Sequence, residues 1–129
     1  MKNFPTTVRL SAVGLLCGAI VACRANTQYS SGFKEDEFKV IATGHTTEDV
    51  YAKIGVPVYA WFSEDDTFAH VDYVAAPTRS LVESKLDADG GYAELRYSVP
   101  KSGTDHYYLY YILLKANVVM EKGGPVLQE

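Results

Sequence analysis

Cysteine is scarce in this chain of 129 residues: there are two, Cys17 and Cys23, and none beyond. A chain with no cysteine past residue 23 has no disulfide framework or thiolate metal centre in its main body, so apolar burial alone must hold that body together. Long apolar runs are missing too. The uncharged stretch from Leu10 to Ala22 covers thirteen residues, whereas a helix that crosses a bilayer needs about twenty. Basic charge is sparse, with twelve Lys and Arg against sixteen Asp and Glu, and the basic residues are scattered singly. That balance excludes nucleic acid or an anionic membrane surface as the main partner, because both select a basic face. Histidine is also rare, at His45, His70 and His106, widely separated.

What is present begins at the N-terminus. Met1 to Arg9 carries Lys2 and Arg9 with no acid, and the short apolar run follows. That is the layout of a secretory signal with a basic and a hydrophobic region. Its end, Ile20-Val21-Ala22-Cys23, resembles a bacterial lipobox, in which a branched aliphatic, a tolerant position and a small residue precede a cysteine that becomes the lipidated first residue. Residues 1–22 are then a lipoprotein signal peptide and Cys23 the lipidation site. The competing expectation is an ordinary signal peptide cut at a small-x-small site, with Cys23 incidental. In the lipobox reading Cys17 leaves with the signal, the Cys23 sulfur is consumed in a thioether, and two or three acyl chains give stable attachment. Loss of Lys2 and Arg9 leaves ten basic residues against sixteen acids, a mature net charge of −6.

Residues 23–32 read as the lipidated cysteine and a flexible tether, because Arg24 to Gly32 is small and polar without apolar periodicity. Residues 33–129 read as one domain. Acids at Glu35, Asp36 and Glu37 ahead of Phe38 and Ile41 predict a short helix between Phe33 and Ala42. A second helix, from about Thr47 to Ile54, has a threonine three residues before an acid, Val50 and Ile54 on one side, and the Gly55-x-Pro57 stop. Alternation then predicts strands around Tyr59 to Trp61, Phe68 to Ala75, and Tyr92 to Val99, with Ala93, Leu95, Tyr97 and Val99 on one face and Glu94 and Arg96 on the other. Arg79 to Leu86 is ambiguous between strand and helical turn, Asp87 to Gly91 reads as a turn, and Tyr107 to Met120 as one long β-rich run. The predicted class is α+β: two short helices packed on one face of a three- or four-stranded antiparallel sheet. Tyrosine is the compositional outlier, at ten residues. Its apolar ring and polar tip suit a half-buried sheet or a recognition surface, so Trp61, Tyr108 and Tyr110 are the candidate protein-binding side chains, with strand packing as their plainer role.

Catalytic chemistry is not signalled. His70-Val71-Asp72 offers two metal-binding groups where a site needs three or four. Glu64-Asp65-Asp66 and Asp87-x-Asp89-Gly90 fit turn chemistry better than a calcium loop. No serine sits in a Gly-x-Ser-x-Gly elbow, and Gly90-Gly91 and Gly123-Gly124 are isolated pairs. The expectation is a non-enzyme with no cofactor, no metal and no catalytic residues.

The stretch Thr43-Gly44-His45-Thr46-Thr47-Glu48-Asp49-Val50 through Ile54-Gly55-Val56-Pro57 resembles the signature of the SmpA/OmlA (BamE-type) small outer-membrane lipoproteins, as does the aromatic strand Tyr107 to Leu114 followed by Asn117-Val118-Val119. The resemblance implies two helices on a three-stranded antiparallel sheet, tethered to the periplasmic face of an outer membrane, and a non-enzymatic scaffold or binding module that meets envelope or outer-membrane proteins. Arg24 after the anchor is not the aspartate of an inner-membrane retention signal, which favours outer-membrane sorting. The sequence departs from the family between Asp65 and Tyr92, which is longer, and at Lys115-Ala116-Asn117, which lacks the usual Asp-Gly. Beta-lactamase-inhibitor-like domains share a similar helix-then-sheet unit. The rival class is therefore a membrane-tethered inhibitor or immunity-type protein that binds a hydrolase, with Glu64-Asp65-Asp66 as its natural contact.

Overall fold

The computed structural model describes residues 29–30, 32–89 and 91–129; the signal segment and Cys23 lie outside the described residues. Helix α1, Glu35–Val40, has three acids in its first turn and buries Phe38. Helix α2, Thr47–Ile54, begins with a capping box. The Thr46 hydroxyl accepts from the Asp49 N–H at 3.2 Å, and the Asp49 carboxylate accepts from the Thr46 N–H at 2.9 Å. That bond lowers the Asp49 pKa. Gly55 then ends the helix at a φ of 77°, a region closed to most side chains, and Val50 and Ile54 face inward as their spacing requires.

Strands β1 (Tyr59–Ser63) and β2 (Asp72–Ala75) form a hairpin, and helix α3 (Arg79–Asp89) crosses to β3 (Tyr92–Pro100), β4 (Tyr107–Lys115) and β5 (Val118–Gln128). All pairs are antiparallel, in the order β2-β1-β3-β4-β5. The α+β class holds. Two counts are corrected: among the described residues there are three helices where two were predicted, and five strands where three or four were.

The third helix was hidden because its buried apolar pair is only Val82 and Leu86, four apart, with Leu81 exposed beside them. Its start lacks an acid; instead the Thr78 hydroxyl accepts from the Leu81 N–H at 3.2 Å. The segment read as a turn at Asp87 to Asp89 is its last turn. The long β-rich run divides in two because Ala116 and Asn117 both take positive φ, 50° and 66°, as a two-residue type I′ hairpin requires. Lys115 and Val118 pair across it.

The core follows strand parity. Ala60 and Phe62, Ala93, Leu95 and Tyr97, and Tyr110, Ile112 and Leu114 are buried on one sheet face. The register places Ala60 opposite Leu95 and Leu95 opposite Ile112. Phe38, Val50, Ile54, Val82 and Leu86 join the same cluster from the helices, and α2 touches both α1 and α3. The result is a helix layer on one face of the sheet. The packed body also starts earlier than the tether boundary at residue 32 suggests. The Ser30 N–H donates to the Ser98 carbonyl at 2.8 Å, the Ser98 N–H returns a bond to the Ser30 hydroxyl at 3.1 Å, and the Tyr29 ring meets Tyr107 edge to face at 6.3 Å.

Candidate binding surface

The opposite parity of the same strands makes the other face of the sheet. Register sets Trp61 beside Tyr73 and Glu94, Tyr59 beside Arg96, and Arg96 beside Tyr111. The rings of Tyr59 and Trp61 lie 5.9 Å apart and those of Tyr59 and Tyr73 5.2 Å. Arg96 ties the ring group to the charged pair. Its guanidinium sits 4.9 Å above Trp61 and holds the Glu94 carboxylate with two nitrogens at 2.6 Å each. Both side chains of that pair are only about one-fifth exposed. A fork that is stacked and bonded at once gives up little freedom when something docks on it, which is the physical meaning of preorganisation. Farther along the face the Tyr111 hydroxyl donates to Glu121 at 3.2 Å. The Tyr111 ring lies over Gly123, where any Cβ would overlap it.

Of the candidate binding residues, Trp61 sits at the centre of this surface. Tyr110 does not, and this is a correction. It shares the parity of Ile112 and Leu114, is 4 % exposed, and packs on Phe33 and Phe38 at centroid distances of 4.7 and 4.9 Å. Its hydroxyl donates to the Glu35 carboxylate at 2.8 Å, and burial, reinforced by that carboxylate, pushes its pKa up to about 12. Tyr108 is on the same side, half-buried against the core. It lines a groove of about 460 Å³ with Phe33, Val99, Pro100 and Pro125. Tyr59, Tyr73, Arg96 and Tyr111 complete the surface instead. Alternation already separated Glu94 and Arg96 from the inward residues of their strand, but the cross-strand partners that gather the rings come from register, which no local pattern encodes.

A second cavity, of about 280 Å³, opens at the far end of β1, lined by Phe62, Asp65, His70, Asp72, Lys85 and Tyr92 among others. The Lys85 ammonium stands 5.1 Å from the Phe62 ring centre and 4.0 Å from the Asp72 carboxylate. Asp65 is engaged in its own turn. Its carboxylate accepts from the Thr67 hydroxyl at 2.7 Å and the Thr67 N–H at 3.0 Å, and these bonds lower its pKa. Among the described residues no three His, Cys, Asp or Glu side chains converge to hold a metal ion. His45 accepts at Nδ1 from the Ala42 N–H at 3.1 Å, a loop-ordering role.

No protein-family model matches the chain, and neither a curated protein nor a solved structure matches it. Among the described residues no helix is long and apolar enough to cross a membrane.

Proposed function

We propose that this is a lipid-anchored, non-enzymatic binding module of a bacterial envelope. In this reading it is held at the periplasmic face of the outer membrane by Cys23, and it presents the sheet face that none of the described helices covers to envelope or outer-membrane proteins. The observation that carries the binding role is the cluster of Trp61, Tyr59, Tyr73 and Tyr111 around a fixed Arg96. Trp, Tyr and Arg are the residue types that dominate binding energy at protein interfaces, and they do so best when held in place beforehand. The anchor rests on the Ile-Val-Ala-Cys sequence after an apolar run, and the envelope role on the resemblance to the BamE-type lipoproteins.

The test is co-purification from detergent-solubilised membranes. The wild-type chain should bring down resident envelope proteins, and Trp61→Ala combined with Arg96→Ala should lose them, while Tyr110→Phe, altered beneath α1, should retain them. Equal recovery by the double variant, folded by circular dichroism, refutes the assignment of the surface. Recovery of a single soluble hydrolase in place of envelope proteins would favour the inhibitor class.

A further inference from the structure

Where the chain leaves the packed body restricts how that body stands against the bilayer. Tyr29 and Ser30 are fastened to the end of the sheet where β3 finishes and β4 begins, through Ser98 and Tyr107. Tyr29 lies six residue steps from Cys23, with five residues between them. Fully extended, six residues reach about 20 Å. From that end, β3 runs back nine residues to Tyr92, a length of about 27 Å at strand rise. The tether is thus shorter than the sheet is long. With the strands upright, the end bearing Tyr92 and the Ala116-Asn117 turn cannot reach a bilayer in which Cys23 is anchored.

The end that can reach has a distinctive surface. Tyr29 is 41 % exposed, and on β5 Val126 and Leu127 are 47 % and 38 % exposed. Tyr107 and Tyr108 are half-buried beside them, paired with Gln128 and Leu127, and the groove floored by Val99 and Pro100 lies at the same end. Charge there is slightly acidic: Lys101 and Asp105 lie in the turn that joins β3 to β4, Glu129 follows Gln128, and Glu35 lines the groove with its carboxylate held by the Tyr110 hydroxyl. Tyrosines with aliphatic neighbours match the headgroup level of a zwitterionic bilayer, where a ring is buried and its hydroxyl stays wet.

We infer that this tyrosine-bearing end, built from Tyr29, Tyr107, Tyr108, Val126 and Leu127, rests in the interface of the bilayer to which Cys23 is joined, with the strands upright. The sheet face that none of the described helices covers then stands perpendicular to the membrane and meets partners beside the domain. The inference rests on the anchor reading and goes beyond it in fixing an orientation.

The acylated full chain, reconstituted in phosphatidylcholine vesicles with or without brominated acyl chains, tests this directly. Trp61 is the chain's single tryptophan, so four single-tryptophan reporters are available: the native chain, and Trp61→Phe combined with Tyr107→Trp, Tyr29→Trp or Tyr92→Trp. The position-107 and position-29 reporters should lose at least about half their emission to brominated lipid, as aromatics at headgroup level do, while Trp61 and the position-92 reporter stay unquenched. Quenching of Trp61 equal to that at position 107 means that the domain lies on its sheet face, and it overturns the inference. Absence of quenching at every position in a chain that still floats with the vesicles also overturns it and leaves the anchor standing. Flotation separates the two readings: the acylated chain should float and Cys23→Ala should not, and if both sediment the anchor itself is wrong and the orientation falls with it.

Discussion

Asn117 offers a test of how the helix layer is locked to the sheet. At the tip of the β4–β5 hairpin, its amide donates to the Glu83 carbonyl at 3.0 Å and to the Asp87 carboxylate at 2.6 Å, and its side-chain oxygen accepts from the Thr47 hydroxyl at 2.8 Å. Its backbone carbonyl also accepts from the Thr47 N–H at 3.1 Å. One side chain thereby joins α2, α3 and the hairpin, and Thr47 is fully buried. Hydrogen bonds of this kind contribute about 0.5–1.5 kcal/mol each, and a buried hydroxyl left alone costs more. Loss of all three side-chain bonds therefore destabilises by roughly 2 kcal/mol, discounted for the exposed Asp87 contact. Asn117 also holds a φ of 66°, which adds about 1 kcal/mol when alanine must adopt it. Asn117→Ala should then cost about 3 kcal/mol, and Asn117→Gly about 1 kcal/mol less, because glycine keeps the turn and loses only the bonds. In urea, with a slope near 1 kcal/mol/M for a domain of this size, the alanine midpoint should fall by roughly 3 M with the slope unchanged. A double-mutant cycle with Thr47→Val should show coupling of at least about 0.5 kcal/mol. An alanine variant within about 0.5 kcal/mol of wild type would refute the lock, and equal midpoints for alanine and glycine would refute the backbone part.

Two further outcomes follow from the core. Val50→Asp places a carboxylate at a fully buried position among apolar neighbours and should destabilise by more than about 3 kcal/mol, enough to abolish the cooperative melt; an unchanged Tm would place this helix face in solvent. The tyrosines of the helix side should ionise late. Burial raises the pKa of Tyr51 and of Tyr97, whose hydroxyls donate to the carbonyls of Pro77 and Gly55, and Tyr110 is pushed up to about 12. Folding favours the protonated phenol in each, so their stabilisation is complete below the ordinary tyrosine pKa of about 10 and is lost as pH climbs through the raised values. Absorbance at alkaline pH should show these three ionising in a late wave coincident with unfolding; a single wave near the ordinary value that includes them would contradict the burial.

Legibility tracked how local each signal is. The α2 helix could be read to its boundaries, because a capping box, an i,i+4 apolar pair and a glycine stop all lie within the ten residues from Thr46 to Gly55. The inward parity of β3 was equally plain, since one strand with one buried face alternates. The α3 helix was not, because its two buried residues are too few to define a period. The β4–β5 turn was legible only through the family resemblance, because Ala116 and Asn117 stand in place of the glycine that usually marks positive φ. The binding surface was half legible. Trp61 stands out by type, but choosing between Tyr110 and Tyr111 requires knowing which parity of β4 meets the helices, and a run of four tyrosines in five residues hides its own alternation.

That ambiguity bears on function, because the two faces of β3 solve different problems. Inward, Ala93, Leu95 and Tyr97 are fully buried, and the helix layer is complete over them. A sheet whose other face served only to meet water would be expected to carry short polar and charged side chains. Here that face carries Tyr59, Trp61, Tyr73 and Tyr111, which shelter part of their apolar area against one another and against the Arg96 stem, so that Tyr73 alone among them is as much as 60 % exposed. Mutual shelter makes the rings tolerable in solvent, and their fixed positions leave less entropy to lose on contact. In the orientation proposed above, with the tyrosine-bearing end in the bilayer, such a face would be turned sideways, toward proteins embedded in the same membrane. That proposed orientation would favour a neighbour within the envelope over a soluble visitor.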